Sequence, residues 1–527
     1  MRQRYMKISN ISLMKNLVQI YIFLVFSLLI SSCSKKIVTE EFKPLEPEKK
    51  VQKLKPLQYP EDKLVDILHT KLSLNFNWQE RTANGLAELR LTPYIDSVNH
   101  FYLDAKSMEL GEINCTIDGQ KVDFQMNYDE NRLTLFFDRF LKKGQTLDLK
   151  IEYISQPYSY QDSLSKEDRG LFFIDPLDTI PYLMPQIWTQ SEPNYASVWF
   201  PTLDRPDEKF SQEILLEVDT QYSTLSNGEL ISQSFDDNGK RIDHWHLKKP
   251  HSTYLAMIAI GDWDILDISK GRVPLFIYSE KEYSEHMPDV FRNTQEMLSY
   301  FESILNAPFP WSRYSQIPVR NFVTGAMENT TASVFMEDLY VDSKTLVDED
   351  YDWIIVHELF HQWFGDLVTC KSWSYISLNE SFANYSEYLW ADYKYGEEEA
   401  GLNRLRELSD YLNEARRNAK SIVRFRYDHP NDLFDAHSYS KGGLVLHMLR
   451  NELGDDVFFR AFSLYLKRFA HKNVELSDLR KVLEEVSGKN LELFFSQWFP
   501  PVNVLSFAFF SHKILRWLSP FFLILIL

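Results

Sequence analysis

His357, Glu358 and His361 form an H-E-x-x-H pattern, whose residue types and spacing can build a metal site. Positions i and i+4 of a helix lie nearly one above the other, so both imidazoles can point at one ion. Catalytic zinc takes three protein ligands and keeps a fourth position open. Glu358 lies where it can accept a proton from a water on the metal. The surrounding stretch WIIVHELFHQWFGD is largely apolar and therefore predicts a buried helix.

Glu380 is the candidate for the third ligand. It lies 19 positions after His361, within SLNESFANYSEYLW, which also has a helical period. A carboxylate on a second helix, packed antiparallel to the first, would complete a set of two histidines and one glutamate. For Glu380 taken alone, a role in capping or solvating its helix stays open.

Two or more domains are needed to hold these elements. The chain has 527 residues, of which 44% are hydrophobic and 15% aromatic, and this is too long for one ordinary core. The net charge of −18 argues against a nucleic-acid partner, because phosphate binding requires a basic surface. Three cysteines do not make a disulfide framework, and we expect Cys115 and Cys370 to be small buried hydrophobes.

The periodicity changes once along the chain. Residues 61–262 alternate apolar and polar side chains between turn signals, which predicts a large β-sandwich. In residues 263–499 short strands come first, and amphipathic helices dominate from about residue 285. Residues 400–498 read as entirely helical. The predicted fold is therefore multidomain α+β, with an N-terminal β-sandwich followed by an α-rich domain.

The N-terminal segment has the order of a secretory signal peptide. Residues 1–33 run from a basic stretch through an apolar one to Ser-Ser-Cys, ending at Cys33. A cysteine after small residues resembles a bacterial lipobox, which predicts lipidation of Cys33 and an exported protein on the membrane of the cell envelope. An ordinary signal peptide or short anchor is the alternative. Residues 34–60, rich in Lys, Glu and Pro, are predicted to be a tether.

Several motifs together resemble the gluzincin aminopeptidases typified by aminopeptidase N. The resemblance covers roughly residues 62–499 and is carried by HELFHQWFGD, Glu380 within LNESFANY, the GAMEN motif at 325–329, QSEPNYASVWFPTLDRPDEK at 190–209, and YSKG at 439–442. It implies a thermolysin-like catalytic domain, one zinc ion per chain, and peptide substrates with a free N-terminus.

The resemblance also implies catalytic roles. His357, His361 and Glu380 would hold the zinc ion, and Glu358 would act as the general base. Tyr439 would donate a hydrogen bond to the tetrahedral oxyanion. Without the family pattern, a tyrosine before Ser-Lys-Gly is more often a packed aromatic.

Substrate binding is implied for a second group of residues. Glu328, helped by Glu192, would pair with the α-ammonium group of the substrate. The backbone of Gly325 and Ala326 would align the peptide as an added strand. Gln190 would line the pocket for the first side chain. Taken alone, the GAMEN segment reads equally as a loop, and Gln190 as a surface residue.

Two positions and one segment depart from the family pattern. Ser381 replaces the usual glycine after the third ligand, and we expect little loss because serine is small. Phe434 stands where some relatives carry a second tyrosine, so an epoxide hydrolase activity has no support. Residues 500–527 form an aberrant apolar tail, which a shifted reading frame or a truncated gene would each explain.

Two alternatives to a zinc aminopeptidase stay open. A thermolysin-like endopeptidase would share the zinc site but would have no use for Glu328. An inactive, exported peptidase-fold binding lipoprotein would also share the scaffold, although it would be expected to have lost zinc ligands. No oligomeric state is predicted.

Overall fold

The structure is a computed structural model that describes residues 55–161 and 169–499. The predicted signal peptide with Cys33, residues 34–54 of the predicted tether and the apolar tail at 500–527 lie outside the described residues.

Strands make up almost all of the regular structure before residue 268. They are β1 (Val65–Asn77), β2 (Thr82–Pro93), β3 (Ser97–Asp104), β4 (Met108–Ile117), β5 (Gln120–Lys121), β6 (Gln125–Tyr128), β7 (Arg132–Lys142), β8 (Leu147–Ser155), β9 (Leu171–Ile174), β10 (Gln186–Thr189), β11 (Lys209–Val218), β12 (Ser223–Ser226), β13 (Glu229–Phe235), β14 (Arg241–Ser252), β15 (Ile258–Gly261) and β16 (Trp263–Asp267).

An eight-stranded sheet in the order β13-β14-β11-β1-β2-β8-β4-β5 forms the main layer of this part. Burial alternates residue by residue along β11, because one face of the sheet packs on the core and the other faces outward. β1 pairs antiparallel with β2 and parallel with β11. Smaller sheets in the orders β3-β7-β6 and β12-β15-β10-β9 add to the same core.

A five-stranded sheet, in the order β16-β17-β18-β20-β19, joins the β-rich part to the helices. Its strands after β16 are β17 (Leu275–Glu280), β18 (Tyr314–Val319), β19 (Ala326–Met327) and β20 (Ala332–Met336). β19 is the last strand of this order and pairs antiparallel with β20. The GAMEN segment therefore lies at a sheet edge.

The α-helices of the described residues all lie in the second part. They are α1 (Met287–Val290), α2 (Thr294–Leu305), α3 (Asp352–His361), α4 (Ser377–Tyr395), α5 (Glu397–Arg417), α6 (Ser440–Leu453), α7 (Asp455–Phe469), α8 (Leu476–Ser487) and α9 (Glu492–Trp498). Short 3₁₀ turns occur at Ala196–Val198, Thr253–Leu255, Glu337–Leu339, Thr345–Val347, Trp373–Tyr375 and Pro430–Leu433. This order confirms the predicted fold class at the level of a β-rich part followed by a helical part.

The helical part is not helical throughout, so that detail of the prediction was wrong. Residues 418–439 form a long loop, and β21 (Val368–Cys370) pairs in parallel with β22 (Lys472–Val474). The loop is held by hydrogen bonds rather than by a helical period, since Arg424 donates to the carbonyl oxygens of Asp432 and Leu433 at 3.1 Å each.

Cys115 and Cys370 are both buried and free, as predicted. Within residues 55–161 and 169–499, no helix combines the length and the apolar character that crossing a lipid bilayer requires.

Candidate active site

Two helices bring the predicted metal ligands together. α3 presents His357 and His361 one helical turn apart, and α4 packs against it and presents Glu380. Glu380 Oε2 lies 3.4 Å from His357 Nε2 and 3.3 Å from His361 Nε2. Nε2 of each histidine and Oε2 of Glu380 thus lie around one common position.

The Nδ1 atom of each histidine makes a hydrogen bond to another group of the protein. His357 Nδ1 donates to Glu387 Oε1 at 2.9 Å, and His361 Nδ1 donates to the carbonyl oxygen of Phe364 at 2.9 Å. Because both acceptors can only accept, they fix the proton on Nδ1 and leave Nε2 with a free lone pair. Both imidazoles are therefore oriented to bind a cation through Nε2.

The arrangement fits zinc. Ligands about 2.0–2.1 Å from a tetrahedral ion lie about 3.3 Å apart, and the two distances from Glu380 to the histidines are 3.4 and 3.3 Å. The candidate ligand atoms of the three residues all lie within 4.8 Å of one another. Two imidazoles and one carboxylate also form a ligand set that leaves the fourth zinc position open.

Gly365 allows the chain to turn sharply after α3. Its φ is +137°, and a Cβ at this position would lie 3.0 Å from His361 Nδ1. Any other residue would be strained here and would crowd the hydrogen bond that orients His361. The turn at Gly365 is therefore part of the support of the metal site.

Glu358 lies beside the ligands on α3 and lines the same cavity. It is 5% exposed, and its Oε2 has no hydrogen-bond partner. Burial raises the pKa of Glu358 to about 8, against the opposing effect of the two histidines. A carboxylate that is buried, unpartnered and basic is suited to accept a proton.

The ligands themselves have strongly displaced pKa values. Burial would raise the pKa of Glu380, but His361 and His357 outweigh it and lower that pKa to about 2. Burial would lower the pKa of His361, but the carboxylates of Glu328 and Glu380 raise it to about 9. Without a cation, the site therefore attracts protons to its histidines.

Tyr439 immediately precedes α6 and faces the metal ligands. Its ring lies 6.0 Å from the ring of His357 with an interplanar angle of 15°. Burial and the neighbouring carboxylates, Glu380 first among them, raise the pKa of Tyr439 well above its ordinary value. The phenol therefore keeps its proton and can act as a hydrogen-bond donor.

The GAMEN segment places Glu328 on the other side of the site. Glu328 is 3% exposed, its Oε1 lies 3.9 Å from His361 Nδ1, and that oxygen has no hydrogen-bond partner. Gln362 holds the segment, since its Nε2 donates to the carbonyl oxygen of Glu328 and its Oε1 accepts from the amide of Thr331, both at 3.0 Å. Burial raises the pKa of Glu328.

Gln190 and Glu192 come from the segment after β10 and line the same cavity, which has a volume of about 1220 Å³. Each has a buried Oε1 without a hydrogen-bond partner. Carboxylate oxygens of Glu192, Glu328 and Glu380 lie within 4.8 Å of one another. Burial, followed by the charge of Glu328, raises the pKa of Glu192 well above its ordinary value.

Gly325 and Ala326 line the cavity at the beginning of β19. Seven of the predicted site residues therefore line one cavity, namely Gln190, Glu192, Gly325, Ala326, His357, Glu358 and Tyr439. Glu328, His361 and Glu380 lie directly beside them, within 4.8 Å of His357 or Glu192.

The sequence analysis missed two supporting residues, Glu387 and Gln362. The position of Glu387 near the metal site could have been predicted, because it lies seven residues after Glu380 and so on the same face of α4. The role of Gln362 could not have been predicted. A glutamine after a histidine does not indicate a hydrogen bond to the GAMEN segment, which lies more than 30 residues away in sequence.

Comparison with known proteins agrees with this geometry. The family model described as "Peptidase M1 N-terminal domain" matches residues 60–255, and that described as "Peptidase family M1 domain" matches residues 290–498. The chain belongs to peptidase family M1. The second family M1 match contains α3, α4 and the loop with Tyr439, and the first contains Gln190 and Glu192.

Several curated aminopeptidases are similar to most of this chain. They include Aminopeptidase 2 of Candida albicans (30% identity, covering 76% of this chain and 44% of the relative), the puromycin-sensitive aminopeptidase of Caenorhabditis elegans (32%, 68% and 39%) and Aminopeptidase N of Streptomyces lividans (30%, 63% and 40%). The chain thus spans less than half the length of each of these relatives.

Proposed function

We propose that this chain is a zinc-dependent aminopeptidase that hydrolyses the N-terminal residue from peptides. The observation that carries the proposal is the pair of buried carboxylates, Glu192 and Glu328, beside a zinc-type ligand set. Unpartnered buried carboxylates are costly, and a substrate ammonium group would supply the missing charge and donors. An endopeptidase has no comparable need for them.

The protein's groups support a hydrolytic mechanism. A zinc ion held by His357, His361 and Glu380 would supply Lewis acidity to the scissile carbonyl and to a water molecule. Glu358 would accept the proton of the attacking water at its unpartnered Oε2 and then return it to the leaving amine. The elevated pKa of Glu358 favours the first of these two transfers.

Tyr439 would stabilise the negative charge that develops on the carbonyl oxygen. Because its pKa is raised, the phenol stays protonated and can donate throughout the reaction. A donor that is already aimed at the site needs no reorganisation as the charge appears.

Glu328 and Glu192 would fix the substrate by its α-ammonium group and so limit cleavage to the first peptide bond. The edge position of β19 supports alignment of the peptide backbone along Gly325 and Ala326. Gln190, with its unpartnered Oε1 in the same cavity, would contact the first side chain.

The test is release of a fluorescent amine from free and N-acetylated aminoacyl-amides by the full chain, with and without a chelator. We expect chelator-sensitive cleavage of the free-amine substrates alone. Glu328→Ala should greatly reduce this preference, and Glu358→Gln should retain one zinc ion but lose nearly all turnover. Equal cleavage of free and acetylated substrates would instead favour a thermolysin-like endopeptidase. Stoichiometric zinc in the wild-type protein without any cleavage would favour a binding protein.

We also propose that the protein is exported and anchored to the membrane of the cell envelope through a lipid on Cys33. The support is the basic, apolar and small-residue order of residues 1–33. The test is metabolic labelling with a radioactive fatty acid in a bacterial host, followed by membrane fractionation. The wild-type chain should carry label and sediment with membranes, whereas Cys33→Ala should lose the label. An unlabelled wild-type chain would exclude the anchor.

A further inference from the structure

A lysine from the β-rich part reaches the turn that follows the metal-binding helix. Lys209, the first residue of β11, donates from Nζ to the carbonyl oxygen of Asp366 at 2.8 Å and to Thr369 Oγ1 at 2.6 Å. The two acceptors lie more than 150 residues away in sequence. Burial of the ammonium group lowers the pKa of Lys209 to about 7, against the charge of Asp366.

Burial of an ammonium group is costly unless its donors are satisfied. An apolar side chain of the same length would fill this space without that cost. Packing alone therefore does not explain a lysine at this position. Its two hydrogen bonds connect it to the turn that follows α3.

The turn at residues 364–369 connects these contacts to the metal site. Thr369 Oγ1 donates to the carbonyl oxygen of Gly365, and the amide of Gly365 donates to the carbonyl oxygen of Val368 at 2.9 Å. The turn also contains the carbonyl oxygen of Phe364, which accepts from His361 Nδ1 at 2.9 Å.

The direction of each hydrogen bond along this path is fixed. An ammonium group only donates, so Thr369 Oγ1 accepts from Lys209 and keeps its single hydrogen for Gly365. Gly365 has no side chain, and a Cβ at this position would lie 3.0 Å from His361 Nδ1. A shift of the turn would therefore move the acceptor that orients this ligand.

A second contact from the β-rich part supports the other ligand helix. Tyr254 OH donates to the carbonyl oxygen of Gly365 at 3.5 Å and accepts from Asn379 Nδ2 at 3.1 Å. Asn379 directly precedes Glu380 on α4, and its Oδ1 accepts from the amide of Cys370 at 3.0 Å. Both ligand-bearing helices thus have supports that begin in the β-rich part.

We propose that Lys209 is a positioning residue for the metal site: through Thr369 and the turn at 364–369 it fixes the orientation of His361, so zinc affinity depends on a side chain of the β-rich part. The inference rests on the zinc site of the proposed function. It assigns Lys209, the last residue of the 190–209 motif, a role that substrate recognition does not cover.

The test is the zinc dissociation constant of the full chain, measured by competition with a chromophoric chelator. We expect Lys209→Met and Thr369→Val each to weaken zinc binding by about 10-fold, since partners that orient metal ligands typically contribute 10- to 100-fold in affinity. The double variant should be weakened less than the product of the two single effects, because both remove the same path.

Lys63→Met is the matched control. Lys63 is also a largely buried lysine of the β-rich part, with its side chain 11% exposed. Its Nζ pairs at 2.9 Å with Oε2 of Glu208, the residue that directly precedes Lys209. Its ion pairs with Asp66 and Glu208 and its hydrogen bond to the carbonyl oxygen of Asp207 involve no residue of the turn at 364–369. This variant should lower the melting temperature and leave zinc affinity unchanged.

Three results would overturn the inference. The first is a wild-type-like zinc dissociation constant for Lys209→Met. The second, decisive if Lys209→Met does not fold, is an unchanged constant for Thr369→Val. Equal weakening by Lys63→Met would likewise show a general loss of stability rather than positioning. Absence of zinc binding by the wild-type chain would contradict the proposed function instead, so the two failures are distinguishable.

Discussion

Four carboxyl groups, from Glu192, Glu328, Glu358 and Glu380, lie around two imidazoles in a buried site. Burial is the main cause of the raised pKa values of Glu192, Glu328 and Glu358, and the charges of the neighbouring carboxylates add to it. A zinc ion and a substrate ammonium group together bring three positive charges. The site is therefore electrostatically suited to two cations of different kinds.

Tyr439→Phe tests the assignment of the phenol at the residue scale. Removal of one oxyanion donor typically costs about 10²–10³ in kcat, so we expect a loss of that size with KM nearly unchanged. Steady-state kinetics on a free-amine substrate provide the measurement. Tyr300→Phe is the control, since this hydroxyl donates to the carbonyl oxygen of Leu389 outside the cavity. A change confined to KM would contradict the role.

At the scale of elements, close contact between α4 and α6 determines where Tyr439 lies. Ser381 of α4 donates from Oγ to the carbonyl oxygen of Ser438 at 2.6 Å. Gly442 of α6 packs against the same serine so closely that a Cβ on the glycine would lie 1.7 Å from Ser381 Oγ. The serine that departs from the family pattern therefore both holds the Tyr439 segment and requires a glycine opposite.

Gly442→Ala should destabilise the protein because the new methyl group overlaps Ser381. Overpacking of this kind costs about 1–3 kcal/mol, measured as a fall in the free energy of unfolding in urea. In a Ser381→Gly background the overlapping atoms are gone, and Ala is the better helix former by up to about 1 kcal/mol. Gly442→Ala should then be neutral or stabilising. An equal penalty in both backgrounds would refute the contact as its cause.

His447 of α6 links three helices and makes their packing sensitive to acid. Its Nε2 accepts from Arg404 of α5 at 2.8 Å, and its Nδ1 lies 3.2 Å from the hydroxyl of Tyr385 on α4. Burial, followed by the charges of Arg404 and Arg450, lowers the pKa of His447 from 6.5 to about 4. The folded state therefore keeps this ring neutral.

Between pH 6.5 and about 4 the unfolded chain binds a proton at His447 that the folded chain does not. The contribution of His447 to stability is thus fully present above pH 6.5 and is lost as the pH falls. The slope amounts to as much as about 1.4 kcal/mol per pH unit. His447→Gln should remove this part of the slope in urea unfolding across that pH range. An identical slope in the variant would contradict the assignment.

The sequence was sufficient for those parts of the site that depend on local spacing. The i, i+4 spacing predicts that His357 and His361 share a face of α3, and the motifs predict the residues that converge on them. It was insufficient for the loop at 418–439 and for the pairing of β21 with β22, because both depend on hydrogen bonds between distant segments. Gln362 was missed for the same reason.

On the scale of the whole molecule, the metal ligands join helices that are separated by a β-strand and a turn. His361 ends α3 and Glu380 lies in the first turn of α4, so an ion between them cross-links two elements of the core. Ligands that bind the folded chain alone stabilise it by mass action.

Removal of zinc should therefore lower the melting temperature of the protein. At a free zinc concentration of 100 times Kd the stabilisation is about 2.7 kcal/mol, and calorimetry with and without a chelator would measure it. Glu358→Gln keeps all three ligands and should show the same shift as the wild-type chain. His361→Ala should show little or none. A wild-type melting temperature that does not respond to chelator would contradict a cross-linking metal.

The parallel pairing of β21 with β22 also sets an order of events during synthesis. Residues 368–370, which begin within the turn that orients His361, take their strand partners from residues 472–474. At about 5–20 residues per second, a ribosome needs about 5–20 s to add the intervening chain. For most of that interval both histidines and Glu380 have already been made, while the strand that supports their turn has not. Metal capture by a nascent chain should consequently be weak and become tight only after residue 474 has emerged.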